Sequence, residues 1–410
     1  MSTVLERAFE TSKASQQTIY LAEGNAVANA SARSNQLTPK LEQFLATQQE
    51  TPFLAVDLSV VAAKYQELST AFPSAAIHYA VKANPAPEIV ALLANLGSSF
   101  DIASRYELDL GLSLGIAPSR ISYGNTIKKS ADIAYAFSRG VRCFAFDSEQ
   151  ELRKLASNAP GSSVMCRVQT SGKNAAWPLS RKFGCDLGMA EDLLVLSREL
   201  GLRASGISFH VGSQQTDTSQ WNEPLQEVSN LFRRLAQQGI MLDVVNIGGG
   251  FPVPYETEVP SVEEFAEAIG RAMISAFASV QPALMLEPGR SLVAEAGVLQ
   301  TEVVLVAKKS RLDETRWVYL DAGKFNGLAE TLGESIKYRV RTNRTGPVGP
   351  VILAGPTCDS ADILYEKSGY CLPLTLDCGD RIQLLNTGAY TSSYSSVGFN
   401  GFPPLKTFCI

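Results

Sequence analysis

Lys82 ends the apolar part of "YAVKANP" (residues 79–85). An ammonium placed there must reach water, find a partner or become a neutral imine, and the last of these is chemistry. Other reactive side chains follow short apolar runs in the same way. Asp101 follows "SSF", Arg167 sits in "VMCRV", His210 ends "GISFH", Gly248, Gly249 and Gly250 close "VVNI", and Glu287 with Arg290 ends "LMLEPGR". Each has an ordinary structural explanation when taken alone, such as a solvated amine, a turn or a hydrogen-bonded core histidine. The triple glycine lets backbone N–H groups approach a ligand with no Cβ in the way, as a phosphate cradle requires, and it equally fits a tight strand-to-loop turn. Arg290 adds a planar fork that can grip a phosphate twice. The chain has no GxxxxGK[ST] loop, and no GxGxxG follows a strand run, so neither a Walker nucleotide site nor a dinucleotide fingerprint is expected.

For these residues to share a site, the intervening elements must deliver them to one place. From about residue 53, β-branched or aromatic runs alternate with segments whose apolar residues recur at three and four. Counted from "IHYAV", the strand runs are "IHYAV", "SFDIA", "RISYGN", "CFAFDS", "VMCRV", "GISFHVG", "VVNIGGG" and "LMLEPG". Helical patterns lie between them, for example "PEIVALLANLG" and "EPLQEVSNLFRRLAQQ". Eight strands alternating with helices predict a closed (β/α)8 barrel, an α/β architecture whose strand ends open on a shared mouth. After about residue 292, runs such as "TEVVLVAKKS", "TRWVYLDAG" and "GDRIQLLNTGAY" are separated by Gly, Pro and Asp turns and predict a mainly β domain. The expected organisation is an N-terminal segment 1–50 packing with the β domain, a barrel over 51–291 and a β domain over 292–410.

Composition narrows the function. The chain has 410 residues, 45% hydrophobic, with a formal net charge of −5 and no long Lys/Arg run, which argues against a nucleic-acid or anionic-lipid surface and for small-molecule chemistry. No membrane span or signal peptide is expected, so the expected location is the cytoplasm. Seven cysteines without a CxxC pair and only two histidines, His78 and His210, argue against a disulfide framework or a metal centre. A lysine, a phosphate cradle and a carboxylate at one barrel mouth are instead the parts needed to hold pyridoxal 5′-phosphate (PLP). The lysine forms the imine, the cradle takes the phosphate, and Glu287 pairs with the ring nitrogen.

Eight motifs, "YAVKANP", "FDIASRYEL", "KFGCD", "FHVGSQ", "NIGGGFP", "LEPGRSLV", "GPTCDSAD" and "NTGAYT", occur in an order that resembles the fold-type III (alanine racemase-like) PLP-dependent decarboxylases of basic amino acids. These include ornithine, lysine, arginine and diaminopimelate decarboxylases. "AAWPLSRKFGCD" and "YLDAGKFNGLAET" look most like bacterial ornithine or lysine/ornithine decarboxylases. The resemblance implies that Lys82 carries the cofactor and that His210 stacks on its ring. It implies that Glu287 holds the pyridine nitrogen, that Ser213, Gly249, Gly250, Arg290 and Tyr390 bind the phosphate, and that Asp101 and Arg167 support the lysine and ring. By the same resemblance Cys358 delivers a proton after carbon dioxide leaves, Asp321 and Asp359 grip a distal amine, and Phe399 and Asn400 form the pocket wall. The implied assembly is a homodimer with shared active sites, the implied substrate a small basic amino acid, ornithine before lysine or a modified relative. A racemase on the related barrel would need a tyrosine base where this chain has "GPTCDSAD". A non-catalytic homologue would have no need of the full set Lys82, His210, Glu287, Arg290 and Cys358.

Overall fold

Strands buried on both faces need unbroken apolar runs, and the runs counted above have them: Phe144, Ala145 and Phe146 are all buried, as are Val164, Met165 and Cys166. In the computed structural model, which describes residues 18–20, 37–177, 181–278 and 281–410, these runs close into a barrel. Its strands are β1 (Ala76–Ala80), β2 (Ser99–Ile102), β3 (Ile121–Tyr123), β4 (Cys143–Phe146), β5 (Ser163–Arg167), β6 (Arg203–Ser208), β7 (Val244–Asn246) and β8 (Ala283–Leu286). All eight pair in parallel, and β8 returns to β1 through Met285 opposite Ala76. The expected barrel is therefore the observed one. Three of the connecting helices start on side-chain caps: Ser104 accepts from Glu107 N at 3.3 Å, Asp186 from Met189 N at 2.9 Å, and Ser261 with Glu264 forms a capping box. Each cap ends a loop at the C-terminal side of the preceding strand, where Lys82, Arg167, His210 and the triple glycine also lie.

The chain divides into two compact units. The barrel unit comprises Val56–Gly297, Gly388–Ser393 and Cys409–Ile410. The stretch Gly388–Ser393 is sewn to it by hydrogen bonds from Gly388 N to Ala294 O (3.0 Å), Tyr390 N to Ala83 O (2.8 Å) and Asn84 Nδ2 to Gly388 O (2.8 Å). Contacts thus interleave the chain, where the sequence reading draws three consecutive blocks.

The second unit is mainly β. Among the described residues its sheet holds ten strands, with Gly297–Ala307 between Arg381–Leu385 and Arg316–Leu320. Arg316–Leu320 in turn pairs in parallel with Val348–Ala354. Thr18–Tyr20 pairs antiparallel with Val340–Thr342, and the helix Pro39–Thr47 belongs to this unit with Leu41 and Leu45 buried. The rest of the expected N-terminal segment before residue 37, like Pro178–Ser180 of "AAWPLS", lies outside the described residues. Among the described residues, no helix is long and apolar enough to cross a membrane.

Candidate active site

The barrel unit brings together all ten residues expected to hold the cofactor. Lys82 lies in the 3-10 turn Val81–Ala83 just after β1, and its Nζ donates to Asp101 Oδ2 at 2.8 Å. The lysine side chain keeps 47% of its surface open, whereas that of Asp101 is 3% exposed. Asp101 fits because β3 is followed by Gly124: a Cβ there would stand 2.0 Å from Asp101 Oδ1. That oxygen has no hydrogen-bond partner. Desolvation opposes the charged form of Lys82, but the fields of Asp101, Tyr390 and Glu287 prevail and hold its pKa well above the ordinary value.

The glycine loop after β7 is backbone built without room for side chains. A Cβ at Gly248, Gly249 or Gly250 would lie 2.6, 2.4 or 2.4 Å from the carbonyl oxygens of Phe209, Glu287 or Gly212. Gly248 and Gly250 also have φ of +70° and +96°. Behind them, Gly212 N donates to His210 Nδ1 at 2.9 Å, which puts the proton of a neutral ring on Nε2. Burial, helped by the charges of Arg167 and Lys82, lowers the His210 pKa to about 3, so the ring is a neutral flat surface at physiological pH. Arg290, 4% exposed, donates through Nε and one terminal nitrogen to Ser213 Oγ at 3.4 and 3.3 Å, and through the other to Tyr255 Oη at 2.9 Å. Its guanidinium lies 5.0 Å from the Tyr390 ring centre. Arg167, at the end of β5, stacks its guanidinium over Phe183 at 5.0 Å.

Glu287 follows β8 and accepts from Asn246 Nδ2 at 2.5 Å. Burial and then the charge of Asp101 raise its pKa to about 7, against the pull of Lys82, Asn246 and Arg167. These features fit PLP. An accessible amine sits beside an orphaned carboxylate oxygen, a loop free of Cβ atoms adjoins a buried arginine, and a carboxyl titrating near neutrality suits a pyridine nitrogen.

The five residues expected to serve the substrate lie in the β unit. Asp321 follows Arg316–Leu320 and the Cys358 loop follows Val348–Ala354, so parallel pairing delivers both to one end of the sheet. Asp321 Oδ1 accepts from Glu302 N at 2.9 Å, and desolvation raises its pKa against a hydrogen bond from Thr51. Cys358 is exposed, and its N–H donates to Asn400 Oδ1 at 3.0 Å. Asp359, also exposed, accepts from Ala361 N at 2.8 Å, and Phe399 packs on Phe325 with ring centres 4.8 Å apart.

Several contributors have no signal in residue type or spacing. Asp362, 3% exposed, accepts from Lys324 N (2.7 Å), Thr357 N (3.1 Å) and Thr357 Oγ1 (2.7 Å). Gly323 and Gly355 make room for it, since a Cβ at either would lie 2.4 or 2.3 Å from its carboxylate. One buried carboxylate thus ties the Asp321 turn to the Cys358 loop. Asn246, Gly124 and Tyr255 play comparable supporting parts in the barrel unit. All of these except Tyr255 stand inside stretches quoted above, and nothing in those stretches distinguishes them.

Known proteins resemble this chain over most of its length. A model of the pyridoxal binding domain of pyridoxal-dependent decarboxylases matches residues 58–294. A lysine/ornithine decarboxylase from Selenomonas ruminantium is 36% identical over 368 residues, covering 89% of this chain and 91% of that protein. The solved structure of SrLDC in complex with PLP and cadaverine superposes with a TM-score of 0.81 at 34% identity, covering 92% of this chain and 94% of that one. The lysine/ornithine decarboxylase from Vibrio vulnificus complexed with putrescine gives 0.82 at 30% identity, covering 92% and 99%. The chain belongs to the PLP-dependent decarboxylases of basic amino acids. It is an enzyme of that class, and PLP is its cofactor.

Proposed function

We propose that the chain decarboxylates a basic L-amino acid with a distal amine, ornithine first and lysine second, to give putrescine or cadaverine. The observation that carries the substrate class is the delivery of Asp321 and Asp359 to one sheet end, since two carboxylates suit a distal ammonium. The names of the relatives above, which include lysine/ornithine decarboxylase, and their complexes with cadaverine and putrescine support the same reading.

When bound, PLP supplies the electron sink that accepts the bonding pair freed as the α-carboxylate leaves. The remaining work falls to side chains. Lys82 offers the amine that holds the cofactor covalently between turnovers, and Asp101 and Arg167 orient its surroundings. Ser213, Gly249, Gly250, Arg290 and Tyr390 take the phosphate, the neutral ring of His210 covers one face, and Glu287 keeps a proton at the ring nitrogen. Cys358 returns a proton to the substrate α-carbon. Asp321 and Asp359 accept hydrogen bonds from the distal ammonium, between walls of Phe399 and Asn400. The working form is a homodimer with shared sites, and sedimentation at micromolar concentration tests it.

Lys324 gives a specific reason to include modified substrates. Lys324 follows Asp321 by three residues and its Nζ donates to Ala361 O at 2.9 Å, two residues after Asp359, so a cation belongs to the same pair of loops as the two carboxylates. The test is a mass-spectrometric screen of purified enzyme with PLP against ornithine, lysine, arginine, diaminopimelate and citrulline, scoring loss of carbon dioxide. Turnover of ornithine or lysine at the highest kcat/KM is expected. Turnover confined to citrulline or diaminopimelate would overturn the substrate assignment.

A further inference from the structure

We infer that Asn246 is a positioning residue that binds Glu287 and the glycine loop into one hydrogen-bonded unit, aiming the carboxylate while clamping the first N–H of the loop. Asn246 is the last residue of β7, 1% exposed, and sits in register between Ser208 of β6 and Met285 of β8. Its amide orientation follows from chemistry. Gly248 N can only donate, and it lies 2.9 Å from one end of the amide, so that end is Oδ1. Nδ2 therefore faces Glu287 Oε1 at 2.5 Å and donates to it.

The circuit closes through the backbone, where Glu287 N donates to Gly248 O at 2.7 Å. Gly248 itself has little freedom, with φ +70° and a carbonyl, Phe209 O, standing 2.6 Å from where a Cβ would be. Glu287 and the N–H groups of Gly249 and Gly250 come from the ends of different strands, β8 and β7. The backbone bond joins the two strand ends, and the Asn246 side chain adds the link between the loop and the Glu287 carboxylate itself.

The charged and titratable groups that face Glu287 come from several elements: Lys82 after β1, Asp101 on β2, Cys143 on β4 and Arg167 at the end of β5. Asn246 adds a neutral donor that favours the carboxylate form, and the direction of its effect on the Glu287 pKa agrees. The inference rests on the proposed placement of Glu287 at the ring nitrogen.

The experiment uses holoenzyme of the parent, Asn246→Asp, Asn246→Ala and Glu287→Gln. Two quantities are read, the pH dependence of the cofactor's visible absorption and the rate of cofactor release into dialysis buffer. Asn246→Asp keeps an acceptor for Gly248 N and sets a second carboxylate against Glu287, so the pair retains a proton and the spectral transition should move up by about one pH unit or more. Asn246→Ala loses both bonds and should release cofactor roughly tenfold faster. If Asn246→Ala does not fold, Asn246→Ser, too short to span both partners, takes its place with the same expectation. A parental pH transition in Asn246→Asp, with that of Glu287→Gln altered, would overturn the aiming role. Parental release from the Ala or Ser variant would overturn the clamp. A parental transition in Glu287→Gln instead overturns the placement of Glu287 at the ring.

Discussion

Gly124→Ala tests whether the Lys82–Asp101 pair depends on space left by a missing methyl group. Gly124 has no positive φ, so alanine meets no backbone strain, and any effect comes from its Cβ. That Cβ would lie 2.0 Å from Asp101 Oδ1 and 2.9 Å from Cγ, whereas real Cβ contacts do not fall below 3.0 Å. The carboxylate must retreat by about 1 Å, enough to spoil a 2.8 Å bond to Lys82. Breaking a fully buried pair costs about 3–5 kcal/mol. Lys82 is 47% open, so solvent recovers part of its charge and about 1–3 kcal/mol is expected. Urea unfolding of the parent, Gly124→Ala, Asp101→Ala and the double variant reads this directly. With the carboxylate gone the new methyl has nothing to strike, so Gly124→Ala should cost almost nothing in the Asp101→Ala background. Additive losses across the cycle, or an undisturbed single variant, would refute the reasoning.

Other consequences can be checked separately. The Glu287 pKa is raised in the folded protein to about 7, above an unfolded value of about 4.3, so the native state holds the extra proton in between. Its contribution to stability is complete below the lower value and is lost as pH rises through about 7. Cofactor-free Glu287→Gln should therefore gain on the parent by roughly 1–3 kcal/mol between pH 5 and 8, and an unchanged difference in urea midpoints would count against the buried carboxyl. Asp362→Ala removes an acceptor of three hydrogen bonds and should cost about 2–4 kcal/mol, with protease cleavage appearing first near residues 355–362; uniform cleavage would argue against a local tie. Cys358→Ala should divert some turnovers to a transaminated product seen by mass spectrometry, and unchanged rate and product purity would remove Cys358 from proton delivery.

The sequence by itself determined the barrel, because strands covered on both faces have to be continuous apolar runs and helices between them carry a distinct period. It also pointed to PLP, since Lys82, the triple glycine, Glu287 and Arg290 are residue types with few substitutes for the tasks proposed for them. Partnership was another matter. Gly124 gives no sign in "ISYGN" that it clears space for Asp101, and "NIGGGFP" does not say that Asn246 reaches Glu287 forty-one residues later. Asp362 looks like one more turn residue in "GPTCDSAD" until two glycines and three donors converge on it. Tyr390 reaches the barrel only because Gly388–Ser393 is hydrogen-bonded back to Asn84 and Ala83, some three hundred residues upstream. The physical reason is one of range. Burial and backbone periodicity are written in neighbouring residues, whereas a hydrogen bond or a cleared space depends on where distant segments meet, and only the closed barrel and the paired sheet decide that.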